Sequence, residues 1–326
     1  MKKIKDITLQ TNTIDAIVRI EKVIISTGSN GLNYLILHLA DSTGRIEARK
    51  WIVTEEDKNL LKPNTIILLK DTQVSEYRNV LQLKVDNYYV IDDKDLSYYN
   101  LSKNDLFISA PIDVDNAYDK LLKILSAIEN KTYQQITIKL LEKYKDQFLT
   151  FPAAMSVHHN VSGGLFWHSY TLVLNALAIK PNYKYATIDW DLLICGAILH
   201  DIGKVIEIVD STGSDYSLEG KILGHISIGN VEVNKIAEEL NLYKDGQDNI
   251  NQEVTLLQHM ILASHGKKEF GSPVEPVLIE AVILSMLDDL DAKVFKINDE
   301  LNRVEQENWT PKIAVIDNKM FYRHQK

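Results

Sequence analysis

The stretch LICGAILHDIGK, residues 193–204, is apolar until His200 and Asp201 stand side by side. An imidazole and a carboxylate closing an apolar helix are costly to desolvate unless something satisfies them. Seven of the nine histidines lie between positions 158 and 265: His158, His159, His168, His200, His225, His259 and His265. Singly, each reads as a hydrogen-bonded core or surface histidine. Together they repeat one placement. GGLFWHS sets His168 at a helix start, ILHDIGK sets His200 and Asp201 at an end, ILGHISIGN sets His225 at a start, and ILASHG sets His265 at an end. Helix ends in a bundle can converge on one cleft. Imidazoles with carboxylates suit manganese, iron, zinc or magnesium, and the lack of thiolate pairs disfavours a cysteine-type structural zinc. Neighbours on a helix diverge by about 100°, so His200 and Asp201 can reach two metals, with the carboxylate bridging. The lone Cys195 falls in the apolar helix, where a thiol is a poor nucleophile and no internal disulfide is open to it.

Two periodicities supply the frame. In YLILHLAD, Leu35, Leu37 and Leu39 share one face; DSTG at 41–44 turns; RIEARKW sets Ile46 and Ala48 opposite Arg45, Glu47, Arg49 and Trp51. TIILLKDTQVSEYRNVLQLKVDNYYVI adds two strands around a polar turn near Arg78-Asn79. About five short strands in this span predict a small antiparallel β-barrel. From Asp113 the period becomes helical, continuing through 168–180, 189–204, 225–240, 253–264 and 276–296. The expectation is a multidomain β plus all-α chain: a barrel over 1–95, a linker over 96–112 closed by Pro111, a helical bundle over 113–310, and a tail over 311–326.

The 326 residues carry a net charge of −9, which argues against coating nucleic acid by charge alone. Residues 1–95 hold 14 Lys+Arg and 14 Asp+Glu, so the whole deficit lies in the helical part. No apolar run is long enough for a membrane span. The start, MKKIKDITLQ, lacks the apolar stretch of a secretion signal, and a cytoplasmic protein is expected.

The strand, Asp-x-Thr-Gly and strand ending in Trp resemble the oligonucleotide-binding (OB) fold. The ordered set His168, His200-Asp201, His225, His265 and Asp288 in LSMLDDLDAK resembles the HD-domain superfamily of metal-dependent phosphohydrolases. FPAAMSVHHNVSGGLFWHS, HDIGK, GHISIG, HMILASHGKKEFGSPVEP and LDDLDAK, behind the OB-like start, narrow this. They resemble the YhaM-type 3′–5′ exoribonucleases over nearly the whole chain. Ser264 departs from the pattern, since a histidine more often stands there.

The resemblance implies metal-dependent removal of nucleotides from the 3′ end of single-stranded RNA, with single-stranded DNA a second substrate. It implies two divalent ions, manganese first, with magnesium, iron or cobalt as alternatives. His168, His200, Asp201 and Asp288 would hold one ion; Asp201, His225 and His265 the other. His259 is a further candidate, but it points about 240° from His265 unless the helix ends between them. Asp289 and Asp291 are the alternatives to Asp288, and Asp291 lies one turn on. Lys204 would clamp the scissile phosphate or simply cap its helix. His158 and His159 would touch phosphate or ribose. In the barrel, Arg45, Arg49, Trp51, Tyr77 and Arg78 would carry the strand. A homo-oligomer is compatible with all of this. Two rival readings are an HD phosphohydrolase of mononucleotides or cyclic dinucleotides, and a non-catalytic RNA-binding module.

Overall fold

The computed structural model describes residues 1–29, 31–77, 80–154, 161–211, 213, 215–243 and 251–325, apart from the side chain of Asn104. Contacts divide the chain into two units, Met1–Ser109 with Ile297–Lys326, and Ala110–Lys296.

The first unit is built on strands β1 (Thr13–Thr27), β2 (Asn33–Asp41), β3 (Gly44–Lys50), β4 (Ile66–Tyr77), β5 (Val80–Lys84) and β6 (Asn87–Ile91), with a short helix α1 (Glu55–Leu60). Five strands close a ring in the order β1-β2-β3-β5-β4 and back to β1, and β6 extends from β4. This is the OB-like arrangement expected, with one correction: β3 and β5 run parallel, so the ring is not wholly antiparallel. Strand β1 serves both neighbours. Its first half pairs with β4 and its second half with β2, and a register shift on each side lets it bend. The alternation read from the sequence fills the ring, where Leu35, Leu37, Leu39, Ile46 and Ala48 meet Ile67 and Leu69.

The bounds of this unit differ from the sequence reading. Leu96 and Leu106, in the stretch taken as linker, cover Ile17, Ile66, Leu68 and Ile91. The stretch taken as a tail is ordered as well. Within it Ile313 bridges Lys319 and Tyr322 reaches back to Trp309, while Val304, which the sequence reading gave to the helical bundle, bridges Val80. Its apolar residues follow neither a two-residue nor a helical period, so no pattern announced it.

The second unit is helical: α2 (Val114–Ser126), α3 (Lys131–Lys143), α4 (Lys145–Thr150), α5 (Gly164–Ile179), α6 (Trp190–Leu199), α7 (Lys204–Glu207), α8 (Leu218–Glu239), α9 (Gln252–Leu262) and α10 (Ile279–Leu301). The last residues of α10 group with the first unit. Side-chain caps fix several helix starts: Asp113, Asn130, Asp189, Ser217 and Asn251 each accept a backbone N–H of the first turn. Helix α6 is buried from Leu192 to Leu199, as a helix apolar on all sides must be. Its neighbours contribute Leu140, Phe166, Met260 and Leu284 to the same core. Among the described residues no helix is long and apolar enough to cross a membrane.

The turn between β2 and β3 rests on Asp41, which is fully buried. Its carboxylate accepts the N–H of Ile4 at 2.8 Å and that of Thr43 at 2.7 Å, together with the Thr43 hydroxyl. Asp41→Ala should therefore lower stability by about 1–3 kcal/mol, because it leaves the buried Ile4 N–H and the half-buried donors of Thr43 unpaired. Urea unfolding of the purified variant measures this, and a loss under about 0.5 kcal/mol would contradict the assignment.

Candidate metal centre

Four histidines and two aspartates converge within the second unit. His168 lies one turn into α5, whose start depends on Gly163. That residue adopts φ 72°, and a Cβ there would sit 3.1 Å from the Leu149 carbonyl. His200 caps the end of α6, and Asp201 begins the turn leading to α7. His225 follows a break in α8 at Gly224, where φ is 73° and ψ 151°. It therefore opens a second helical segment, consistent with the helix start read from ILGHISIGN. His265 follows the end of α9, and Asp288 sits in α10.

Close backbone packing draws these pieces together. A Cβ on Gly203 would lie 2.0 Å from the His225 carbonyl oxygen and 2.7 Å from the Gly229 nitrogen. The glycines of HDIGK and GHISIG thus let the turn after Asp201 touch the helix that carries His225.

The ligand atoms fall into two groups. His168, His200 and Asp288 form one; Asp201, His225 and His265 form the other; within each, the candidate atoms lie within 4.8 Å of one another. In the first, His168 Nε2 is 3.2 Å from His200 Nε2 and 3.1 Å from Asp288 Oδ1. Asp201 joins the groups. Its Oδ2 is 3.3 Å from His200 Nε2 and 3.9 Å from His168 Nε2, while its Oδ1 is 3.3 Å from His225 Nε2. The His225 and His265 rings are 5.4 Å apart.

The chemistry of these donors fits divalent cations. His168 Nδ1 donates to Asp291 at 2.7 Å, and His200 Nδ1 donates to the Ala197 carbonyl at 2.9 Å. His225 Nδ1 donates to Glu207 at 3.1 Å, and His265 Nδ1 donates to the Phe270 carbonyl at 3.2 Å. In its neutral form each ring then has Nε2 as the nitrogen left to face a cation, a form His168 reaches only by giving up the second proton that Asp288 and Asp291 favour. Among the described residues, Asp201 Oδ1 and His225 Nε2 are buried and have no hydrogen-bond partner. Converging acceptors of this kind call for positive charge between them.

Protonation follows the same logic. Burial alone would push His168 down, but hydrogen bonds to Asp288 and Asp291 outweigh it and raise the imidazole to about 9. Burial would push Asp288 up, yet the His168 imidazolium holds its carboxyl far below the ordinary range. Burial would also raise Asp201, and the charges of Lys204 and His200 hold it well down instead. Burial lowers His265, favouring the neutral ligand form. Burial pushes the Cys195 thiol up to about 12, leaving it no thiolate at neutral pH.

The other sequence candidates sort differently. Lys204 Nζ donates to Asp201 Oδ2 at 2.6 Å and is buried. His259 joins neither group: α9 does end before His265, but His259 Nε2 accepts the Val277 N–H at 3.1 Å. Asp289 pairs with Lys293 at 2.6 Å. Asp291 meets His168 at the nitrogen opposite the one facing Asp288. Ser264 is buried, and its hydroxyl has no partner among the described residues. His158, His159 and Arg78 lie outside the described residues. In the first unit, the Arg49 guanidinium lies 5.8, 5.6 and 5.2 Å from the ring centres of Tyr34, Trp51 and Tyr77. Trp51 stacks on Tyr34 at 4.6 Å and is 47% exposed; Tyr77 is 48% exposed. Arg45 points elsewhere, pairing with Glu21 at 2.7 Å and Asp299 at 3.8 Å. Sequence reasoning did not single out Glu207; its signal was the acid three residues past Lys204, in register with the glycines that carry His225.

Residues 165–293 match the family model of the HD domain. The chain is 36% identical over 311 residues to the 3′–5′ exoribonuclease YhaM of Geobacillus sp. (strain WCH70), covering 95% of this chain and 91% of the relative. It is 35% identical over 310 residues to that of Bacillus subtilis (strain 168), covering 95% and 94%. Among solved structures, an OB domain from Thermoplasma acidophilum is similar to 27% of this chain and 82% of its own, at 20% identity and TM-score 0.24.

The raised His168 value carries a pH signature in metal-free protein. Its folded value of about 9 exceeds the ordinary 6.5, so the stability it contributes is complete below 6.5 and lost as pH rises through 9. Urea midpoints of chelator-treated protein should fall between about pH 6 and about pH 10, and saturating manganese should flatten that fall. A metal-free profile that rises across this window would refute the assignment.

Proposed function

Because the chain belongs to the YhaM family of 3′–5′ exoribonucleases, we propose that it shortens single-stranded RNA from the 3′ end by metal-dependent hydrolysis. The products are nucleoside 5′-monophosphates, and single-stranded DNA is a second substrate. The observation that carries this reading is Asp201, whose two oxygens face two separate histidine groups.

His168, His200 and Asp288 would hold one ion and His225 and His265 the other, with Asp201 placed to serve both. A donor set of imidazoles and carboxylates suits several divalent metals, of which we propose manganese first, with iron, cobalt or magnesium as alternatives. Bound ions of this kind supply hydroxide at neutral pH and neutralise phosphodiester charge. The protein does the rest. Main-chain and carboxylate acceptors behind each ring hold the Nε2 atoms toward the centre, and the apolar core around α6 keeps them rigid. Lys204 adds a fixed positive charge at the shared carboxylate, where it also serves the negatively charged phosphate. Cys195 stays a thiol and is no nucleophile; water adds to the terminal phosphorus with loss of its proton, and the bond to the 3′-oxygen of the penultimate nucleotide breaks, that oxygen leaving as a hydroxyl. The N-terminal unit holds the strand: Trp51 and Tyr77 offer exposed faces for bases, and Arg49 between them supplies charge for the backbone. Arg45 contributes less, being held by two acids, Glu21 and Asp299, whereas Arg49 pairs with Glu47 alone at 3.2 Å among the described residues and lies near the rings. Such an enzyme acts in the cytoplasm.

Digestion of a 5′-labelled oligonucleotide with manganese, followed by product identification, tests the activity. Stepwise shortening with monophosphate release is expected. Inert RNA with turnover of free nucleotides would favour a mononucleotide phosphohydrolase instead. Asp201→Asn should cut shortening at least about 1,000-fold while RNA binding stays within a few-fold, and undiminished shortening would remove the two-ion centre from the mechanism. Trp51→Ala should weaken binding of long RNA by about 5- to 100-fold, the worth of one stacked base, with a short oligonucleotide degraded at nearly the normal rate. Unchanged affinity would exclude Trp51 as a base platform.

A further inference from the structure

Two acids behind the centre are not among its ligand groups, yet each touches a histidine that is. Asp291 Oδ2 lies 2.7 Å from His168 Nδ1. Glu207 encloses His225: Oε1 is 3.0 Å from the backbone nitrogen and 3.2 Å from Nδ1, and Oε2 is 3.1 Å from Nδ1. Resting on the two-ion reading above, we propose that Glu207 and Asp291 are positioning residues, each tuning one ion's affinity through one imidazole.

The local fold makes Glu207 more than an incidental neighbour. It ends α7, one turn and a half past Asp201 in the same short segment, and is buried. Gly220 passes directly over it: a Cβ there would be 2.7 Å from Glu207 Cγ and 2.7 Å from its carbonyl oxygen. Only glycine at 220 lets the first segment of α8 seat against this side chain. The break at Gly224 then leaves the His225 N–H as a free helix-start donor, which Glu207 accepts. The same carboxylate takes the ring N–H, so the imidazole presents Nε2 to Asp201 Oδ1 at 3.3 Å. A carboxylate on the far nitrogen fixes the tautomer and makes the near nitrogen a better donor to a cation. Asp291 does the same for His168, whose Nε2 faces His200 and Asp288. In His200 and His265 the corresponding acceptor is a main-chain carbonyl, from Ala197 and Phe270. The two carboxylates therefore fall one to each ligand group.

A capping role and a positioning role make different demands. Capping His225 needs only an acceptor oxygen, which glutamine retains. Tuning the imidazole needs the negative charge, which glutamine lacks. The test is titration of chelator-treated, full-length protein with manganese by calorimetry, with electron paramagnetic resonance of the loaded samples. Wild type should bind two equivalents and give a spin-coupled spectrum; a single equivalent would defeat the two-ion reading itself, and with it this proposal's premise. Given two, Glu207→Gln should keep the metal-free melting temperature and one normal affinity, while weakening the other site by about 10- to 100-fold. At one equivalent its spectrum should be that of isolated manganese. Asp291→Asn should weaken one site similarly, and the double variant should weaken both. Wild-type affinity at both sites in Glu207→Gln and Asp291→Asn overturns the proposal. Equal weakening of both ions by either single variant overturns it too.

Discussion

A buried carboxylate between imidazoles is tolerable only with positive charge beside it, and Asp201 is 1% exposed. Lys204 supplies one such charge, on Oδ2. Oδ1 instead faces the Nε2 of His225, and among the described residues neither atom has a hydrogen-bond partner. Two acceptors 3.3 Å apart repel unless a cation stands among them. The rest of the second unit can be understood as the scaffold that enforces this crowding. An all-buried α6 delivers His200, α5 and α10 bring His168 and Asp288, and a broken α8 brings His225.

The crowding is made possible by what is missing from the side chains around it. Gly203 lets one backbone approach another to distances that any Cβ would forbid, and Gly220 does so over Glu207. Glycine costs backbone entropy in a helix, and here that cost purchases reach. The first unit solves a different problem. Its ring keeps its apolar side chains inward, and its outer surface carries Arg49 among three aromatic rings. A guanidinium among rings stays charged and partly desolvated, which suits contact with stacked, anionic strands.

Much of this was legible in the chain. Helix-end histidines beside small residues pointed to convergence, and the alternation of Leu35, Leu37 and Leu39 pointed to the inside of the ring. Asp288, rather than Asp289 or Asp291, is the acid on the Nε2 side of His168. Spacing could not have settled that, because residues three apart share a helix face and differ only in which nitrogen they meet. His259 looked eligible once α9 ended before His265, yet its lone pair is taken by a main-chain N–H from a loop distant in sequence. Arg45 and Arg49 alternate identically in β3, but only Arg45 meets Glu21 and Asp299. The parallel β3–β5 pairing and the seating of residues 297–326 depend on contacts far apart along the chain, which no local period encodes.

That last arrangement bears on how the molecule is made. Residues 110–296 leave the ribosome as an uninterrupted run holding every ligand described above, so their unit can close during synthesis. The ring-bearing unit cannot be finished then. Val80 waits for Val304, and Arg45 for Asp299, until residues beyond the helical unit have emerged. The strands of the ring precede the helical unit in the chain and their partners Asp299 and Val304 follow it, so the first unit is completed only after the second has been made.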